Sequence, residues 1–110
     1  MAIRKYLPLH KIKQYPDGTY RMNDRLVDIA IFWPELQIFW LCLWGRRDDE
    51  IRYHINEMLS FFGYNGKVTK IATQPTLTFV CGPTFFFKNT EELYVDLRLY
   101  DKTKGWVKPS

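Results

Sequence analysis

The sequence predicts a single α+β domain, in which a twisted, mainly antiparallel sheet of about five to seven strands carries one amphipathic helix on one face. Apolar residues recur with helical spacing over about 48–62. Runs rich in aromatic and β-branched residues, typical of strands, lie before and after that segment. The turns between these runs are of hairpin length, which favours antiparallel pairing. Because 110 residues suffice for one core, we expect residues 1–110 to form one domain.

The predicted strands begin in a segment that a proline interrupts. We interpret residues 1–16 as an edge strand that continues into a basic N-terminal arm. A Pro-Asp-Gly turn at 16–18 follows, since proline presets its own φ and glycine accepts a left-handed conformation. Beyond this turn the sequence predicts a strand over 19–23 and two apolar strands, reversing at Pro34-Glu35, over 25–33 and 36–44.

The helix is predicted from its ends as well as from its apolar stripe. Asp48 or Asp49 is a suitable N-cap, and Glu50 adds a carboxylate near the unpaired amides of the first turn. Gly63 follows the last apolar position and is typical of a left-handed C-terminal cap. The stripe itself consists of Ile51, Ile55, Met58, Leu59 and Phe62.

Further strands are predicted after the helix, over 67–73, 76–81, 84–88 and 93–101. The basic tail at 102–110 is predicted to be loose unless Trp106 and Val107 anchor it. In the last strand, alternation points Leu93, Val95, Leu97 and Leu99 to the core and Tyr94, Asp96, Arg98 and Tyr100 to solvent. The central strand over 36–44 is instead apolar on both faces, and one helix covers only one of them. Its second face is covered by sheet curling, by the terminal arms, by a second copy or by another protein.

The positive charge of the chain is concentrated at its two ends. The formal net charge is +4, from 16 basic and 12 acidic residues. Residues 1–16 contribute +4 and residues 102–110 contribute +3, so 17–101, with nine basic and twelve acidic residues, carries −3. The two ends therefore supply the candidate nucleic-acid-binding residues, which are Arg4, Lys5, Lys11, Lys13, Lys102, Lys104 and Lys108.

The sequence argues against several kinds of site. Apolar runs stay below the roughly 20 residues that span a bilayer, and residues 1–9 lack a signal-peptide pattern, so we expect a cytoplasmic protein with no membrane partner. Cys42 and Cys81 lie in apolar runs and are predicted to be buried thiols. His54 and Glu57 share a helix face, but a metal site of that type needs a second motif. We expect no metal, no cofactor and no enzymatic activity.

The side chains left over after the fold is built indicate a binding function. Aromatic residues outside a core are frequent in interfaces, and the candidate partner-binding residues are Tyr53, Tyr94, Arg98, Tyr100 and Trp106. The leading hypothesis is a small non-catalytic protein that docks on a protein or nucleoprotein complex, in its narrower form a phage or mobile-element inhibitor of a nucleic-acid-handling host complex. The alternatives are direct binding of single-stranded DNA or RNA and a small nuclease-like enzyme; a homodimer is compatible with the leading hypothesis.

Overall fold

The computed structural model describes residues 12–46, 48–71, 74–79, 82–88 and 92–107. These residues form strands, then a helix, then further strands, as the sequence predicts. The strands are β1 (Ile12–Gln14), β2 (Tyr20–Asp24), β3 (Val27–Trp33), β4 (Ile38–Cys42), β5 (Gly66–Ile71), β6 (Gln74–Phe79), β7 (Thr84–Phe86), β8 (Glu92–Asp96), β9 (Tyr100–Asp101) and β10 (Gly105–Trp106); the helix is α1 (Asp49–Phe61). The predicted α+β class is confirmed, because the helix packs against antiparallel sheets.

The main sheet has five strands in the order β1-β2-β3-β4-β8, with every neighbouring pair antiparallel. Its β2–β3 hairpin turns at Arg25 and Leu26, which both have positive φ, 54° and 71°. Positive φ at both central residues is the type I′ arrangement that matches strand twist. The prediction of a strand starting at Arg25 was wrong, because neither residue is the Asn or Gly that marks such turns in a sequence. The next hairpin is also wider than predicted, since residues 34–37 form its loop.

The other strands form a three-stranded sheet, β5-β6-β7, and a two-stranded ribbon of β9 and β10. Helix α1 contacts β5 of the smaller sheet and β3 of the main sheet, so it lies between them. The core fills this space with one face of the main sheet, the apolar stripe of α1 and side chains of β5 and β6. Its largest fully buried residues are Phe39, Phe79, Met22, Ile29, Leu41, Leu43, Ile51, Ile55, Met58, Leu59, Leu77 and Leu97.

Both ends of α1 follow from its sequence, which confirms the predicted helix over 48–62. Asp48 has an extended backbone conformation and is the N-cap, since its carboxylate accepts a hydrogen bond from the amide of Ile51 at 3.0 Å. Phe62 is the C-cap, and Gly63 after it has φ 88°. A residue other than glycine would be strained in that left-handed conformation. The four aliphatic residues of the predicted stripe are buried.

The cap predicts a pH-dependent contribution to stability. Hydrogen bonds from Arg46 and from the amide of Ile51 hold the pKa of Asp48 well below its usual range. A carboxyl group whose pKa is lower in the folded state than in the unfolded chain stabilises the fold when the pH is above the unfolded pKa. This contribution is lost as the pH falls through the folded pKa. Asp48→Ala should therefore lower the Tm by a few degrees at pH 7, and the difference from wild type should shrink below about pH 4. Asp49→Ala is the matched control in thermal unfolding; an equal loss would contradict the capping role.

The C-terminal part departs from the predicted alternation. Strand β8 ends at Asp96, whose carboxylate accepts a hydrogen bond from the amide of Arg98 at 3.0 Å and so begins a turn. Leu99, predicted to face the core, is 48% exposed. The chain then returns as the β9–β10 ribbon, so the prediction of one strand over 93–101 was wrong beyond Asp96. The tail from residue 102 is ordered as far as Trp106, one of the two residues expected to anchor it if it was not loose, and Trp106 pairs with Tyr100.

At the N-terminus, residues 12–14 of the predicted basic arm form the edge strand β1, which pairs with β2; the edge strand predicted ahead of that arm falls outside the described residues. Residues 1–11 lie outside the described part of the chain, as do residues 108–110. Of the two cysteines, Cys42 is buried in β4, and Cys81 is outside the described residues.

Candidate binding face

One face of the main sheet carries a strip of aromatic and aliphatic side chains. Cross-strand pairs set its layout, because Ile31 lies opposite Trp40, Trp33 lies opposite Ile38, and Trp40 also lies opposite Tyr94. Residues opposite one another in an antiparallel pair point to the same side of the sheet. These five residues, from β3, β4 and β8, are called the outer face below.

The outer face is more exposed than the opposite, inner face of the main sheet. Tyr94 is 63% exposed, and the other four residues of the outer face are partly exposed. On the inner face, Phe32 and Phe39 are at most 5% exposed. Their rings pack against Phe62, with centroids 4.7 and 6.0 Å away, directly after the helix. Helix and core therefore lie on the inner side, and the outer face is the wet side of the sheet.

Charged groups at the β8 border of the outer face are already paired. Arg98 donates to both carboxylate oxygens of Asp96, at distances of 2.6 to 3.0 Å. These hydrogen bonds lower the pKa of Asp96 and raise that of Arg98. Glu92, at the other end of β8, accepts a hydrogen bond from the indole nitrogen of Trp40 at 3.3 Å. The β8 border is thus acidic, with the one arginine held by a carboxylate.

The opposite border of the outer face is arranged in a similar way around Arg21. Its guanidinium contacts Asp17 at 3.1 Å and Asp28 at 3.6 Å, and it lies 4.6 Å from the ring centre of Tyr15. A guanidinium between two carboxylates and over an aromatic ring is fixed in position. Apolar rings in the centre and paired charges at both sides give this face the composition of a protein interface.

Two of the predicted partner-binding residues lie elsewhere. Tyr100 and Trp106 are partly buried in the β9–β10 ribbon, with ring centroids 5.8 Å apart. Each also packs on the buried ring of Phe79, at 5.9 and 5.2 Å. Tyr100 accepts a hydrogen bond from the amide of Asn65 at 2.9 Å. The predicted exposed surface of Tyr94, Arg98 and Tyr100 is therefore not continuous, because the turn after β8 moves Tyr100 into the core.

The remaining predicted residues that the structure describes lie apart from the outer face. Tyr53 is 43% exposed on α1 and its ring lies 5.8 Å from that of His54. Lys13 is exposed on β1, and Lys104 is exposed in the turn between β9 and β10. Lys102 places its ammonium 4.9 Å from the ring centre of Tyr64. The other candidate nucleic-acid-binding residues, Arg4, Lys5, Lys11 and Lys108, lie outside the described residues.

The fold also brings together a second group of polar residues, which was not predicted from the sequence. Arg46 is 13% exposed and joins Asp24 of β2, at 2.7 Å, to the N-cap Asp48, at 3.0 Å. His54, expected on the edge of the helix beside Glu57, is buried and faces Glu50 instead, 3.5 Å away. The sequence does indicate this contact, because Glu50 and His54 are four residues apart on a helix and therefore lie on the same face. Asp24 is remote in sequence, and only the packing of α1 against the β2–β3 hairpin brings it near.

In the part of the chain that the structure describes, helix α1 is not long and apolar enough to cross a membrane. Comparison with protein-family models, with curated proteins and with solved structures finds no significant match to this chain.

Proposed function

We propose that this protein is a non-catalytic binding module that docks on a partner protein through its outer face. The observation that carries the proposal is the exposed Tyr94 within an aromatic strip on the side of the sheet away from the helix. Tyrosine and tryptophan dominate binding energy at interfaces because they bury a large area and lose little conformational entropy. The strip supplies three such rings on rigid strands.

The borders of the strip favour a protein over a nucleic acid as the occupant. Glu92 and Asp96 flank Tyr94 on β8 and would repel phosphates, and Arg98 is already engaged by Asp96. Stacking of bases on Tyr94 would bring a phosphate backbone close to these carboxylates. The same acids would instead attract a lysine or arginine that borders an apolar patch on a partner protein.

The edge strand β8 also argues against self-association by strand pairing. If β8 strands of two copies paired about Tyr94, Glu92 of one copy would lie opposite Asp96 of the other. Like charges directly opposite each other are destabilising, and charged edges are a common protection against such pairing. We therefore assign the face to a different protein that presents apolar side chains beside a basic residue. A nucleic-acid-handling host complex, the target of the narrower inhibitor hypothesis, remains a candidate of this kind.

A photo-crosslinking experiment tests the proposal. A benzophenone amino acid at position 94 should give, on irradiation in lysate, an adduct with one protein that mass spectrometry identifies and that nuclease treatment leaves intact. The matched control is the same amino acid at position 86, because Phe86 is 54% exposed but lies on the smaller sheet. With the identified partner purified, Tyr94→Glu should weaken binding at least about tenfold, and Phe86→Glu should leave it unchanged.

Three results would overturn the proposal. An adduct between two copies of the chain would make the outer face a homodimer surface. An adduct that nuclease removes would support direct single-stranded nucleic-acid binding. Equal crosslinking from positions 94 and 86 would show that the outer face is not the docking surface.

A further inference from the structure

Three potential metal ligands meet where the β2–β3 hairpin approaches the start of α1. Asp24, Glu50 and His54 each place one ligand atom such that all three atoms lie within 4.8 Å of one another. Zinc bonds of about 2.0–2.2 Å to nitrogen and oxygen bring ligand atoms to roughly 3.3–3.6 Å apart in a tetrahedral site. The side chain of Glu50 is 52% exposed, whereas Asp24 and His54 are buried, so Glu50 has the most freedom to move toward a bound ion.

His54 gives an independent indication that the group is built to bind something. The residue is 7% exposed, and its Nε2 is buried without a hydrogen-bond partner. A buried polar atom left unsatisfied costs free energy, so native proteins provide nearly all such atoms with a partner. Nε2 is directed to the carboxylate of Glu50 at 3.5 Å, too far for a hydrogen bond. A cation bound between them would satisfy the imidazole nitrogen.

The surrounding charges hold the ligands in place. Asp24 is 6% exposed, and one of its oxygens accepts a hydrogen bond from Arg46 at 2.7 Å. Arg46 is fixed in turn by Asp48 through two hydrogen bonds of 3.0 Å. A carboxylate has two oxygens and can contact a guanidinium and a metal ion together. Metal ligands are commonly oriented by an outer-shell partner of this kind. Arg46 is thus placed to orient Asp24, whereas Glu50 accepts a hydrogen bond from Arg25 at 3.2 Å and lies 3.7 Å from Arg46.

We propose that Asp24, Glu50 and His54 form a binding site for a divalent first-row transition-metal ion such as Zn²⁺. An imidazole nitrogen with two carboxylates suits Zn²⁺, Mn²⁺ or Fe²⁺ and disfavours Mg²⁺ and Ca²⁺, which take oxygen ligands. Bound metal would connect α1 to the β2–β3 hairpin and stabilise the folded state in proportion to its occupancy. The exposed side of the site, at Glu50, leaves a position for water.

Metal binding is measured on the full-length chain after treatment with a chelator. Equilibrium dialysis against ZnCl₂ should show one strong site, and added Zn²⁺ should raise the Tm and shift the imidazole resonances of His54. Glu50→Gln should weaken Zn²⁺ binding at least about tenfold, since even outer-shell losses at metal sites cost that much. Glu57→Gln, on the same helix but outside the group, is the matched control and should bind Zn²⁺ as wild type does.

Glu50 is exposed, so Glu50→Gln is expected to fold. This variant therefore tests the site even if variants of the buried His54 fail to fold. His54→Gln, if folded, should lose the same site. Absence of Zn²⁺ binding by the wild type would overturn the proposal. Binding that Glu50→Gln and Glu57→Gln retain equally would also overturn it, because the metal would then be held elsewhere in the chain.

Discussion

Replacing Phe79 with alanine should lower the free energy of unfolding by about 4 kcal/mol, the loss typical of a large aromatic removed from a core. Phe79 is 1% exposed at the end of β6, and its ring packs between Tyr100 and Trp106 of the ribbon and Phe85 of β7. It therefore holds the β9–β10 ribbon against the smaller sheet. A domain of this size has a net stability of roughly 5–15 kcal/mol, so the substitution would remove a large share of it.

The cavity left by Phe79→Ala should not close easily. The backbone of Gly66 lies against the ring so tightly that a Cβ at that position would be 2.8 Å from it. Neighbouring rings are held by their own contacts, and limited relaxation keeps the loss from falling much below about 4 kcal/mol. Urea unfolding measures the change, and loss of the ribbon contact should also alter the fluorescence of Trp106. Phe86→Ala on the adjacent strand, 54% exposed, is the control and should change stability by less than about 0.5 kcal/mol. Equal losses would show that Phe79 does not anchor the ribbon.

The parts of the fold that sequence predicted are those specified by neighbours in the chain. Helix α1 has a cap, an apolar stripe and a terminal glycine within one segment, and its predicted ends lie within a residue of the observed ones. Strand β8 shows the limit of such reasoning. Alternating leucines continue past Asp96, but the Asp96 side chain bonds to the amide of Arg98 and turns the chain there. Period-two spacing cannot reveal this, because a leucine in a turn fits the same pattern as one in a strand.

The candidate site was predictable only in part, for a related reason. Tyr94 follows from alternation in β8, and its exposure needs no knowledge of other strands. The neighbouring Trp40 became part of the same surface through the β4–β8 pairing, which joins residues more than fifty positions apart. Tyr100 was predicted to be exposed because its burial depends on Phe79 and Trp106, which reach it from other strands. Contacts of this range leave no local pattern.

Replacing Arg46 with methionine should destabilise the fold by about 3 kcal/mol, close to the effect of Phe79→Ala. Methionine retains the length and packing of the side chain but removes the charge, which leaves the carboxylate of Asp24, 6% exposed, without its guanidinium. Breaking a buried ion pair by removing one partner costs about 3–5 kcal/mol, because the charge that remains is still desolvated. Arg46 is slightly exposed, so the lower end of that range applies.

A double-mutant cycle separates the ion pair from the packing of Arg46. Asp24→Asn should destabilise the wild type but raise the stability of Arg46→Met, because it neutralises the carboxylate that lost Arg46; the difference is a favourable coupling energy between the two positions. Arg98→Met is the matched control, because Arg98 makes an equally close pair with Asp96 but its side chain is 72% exposed. Water screens exposed ion pairs, so the loss of the Arg98–Asp96 pair should be barely measurable in urea unfolding. If Arg46→Met and Arg98→Met behaved alike, the link between the β2–β3 hairpin and the start of α1 would not depend on burial of the Asp24 charge.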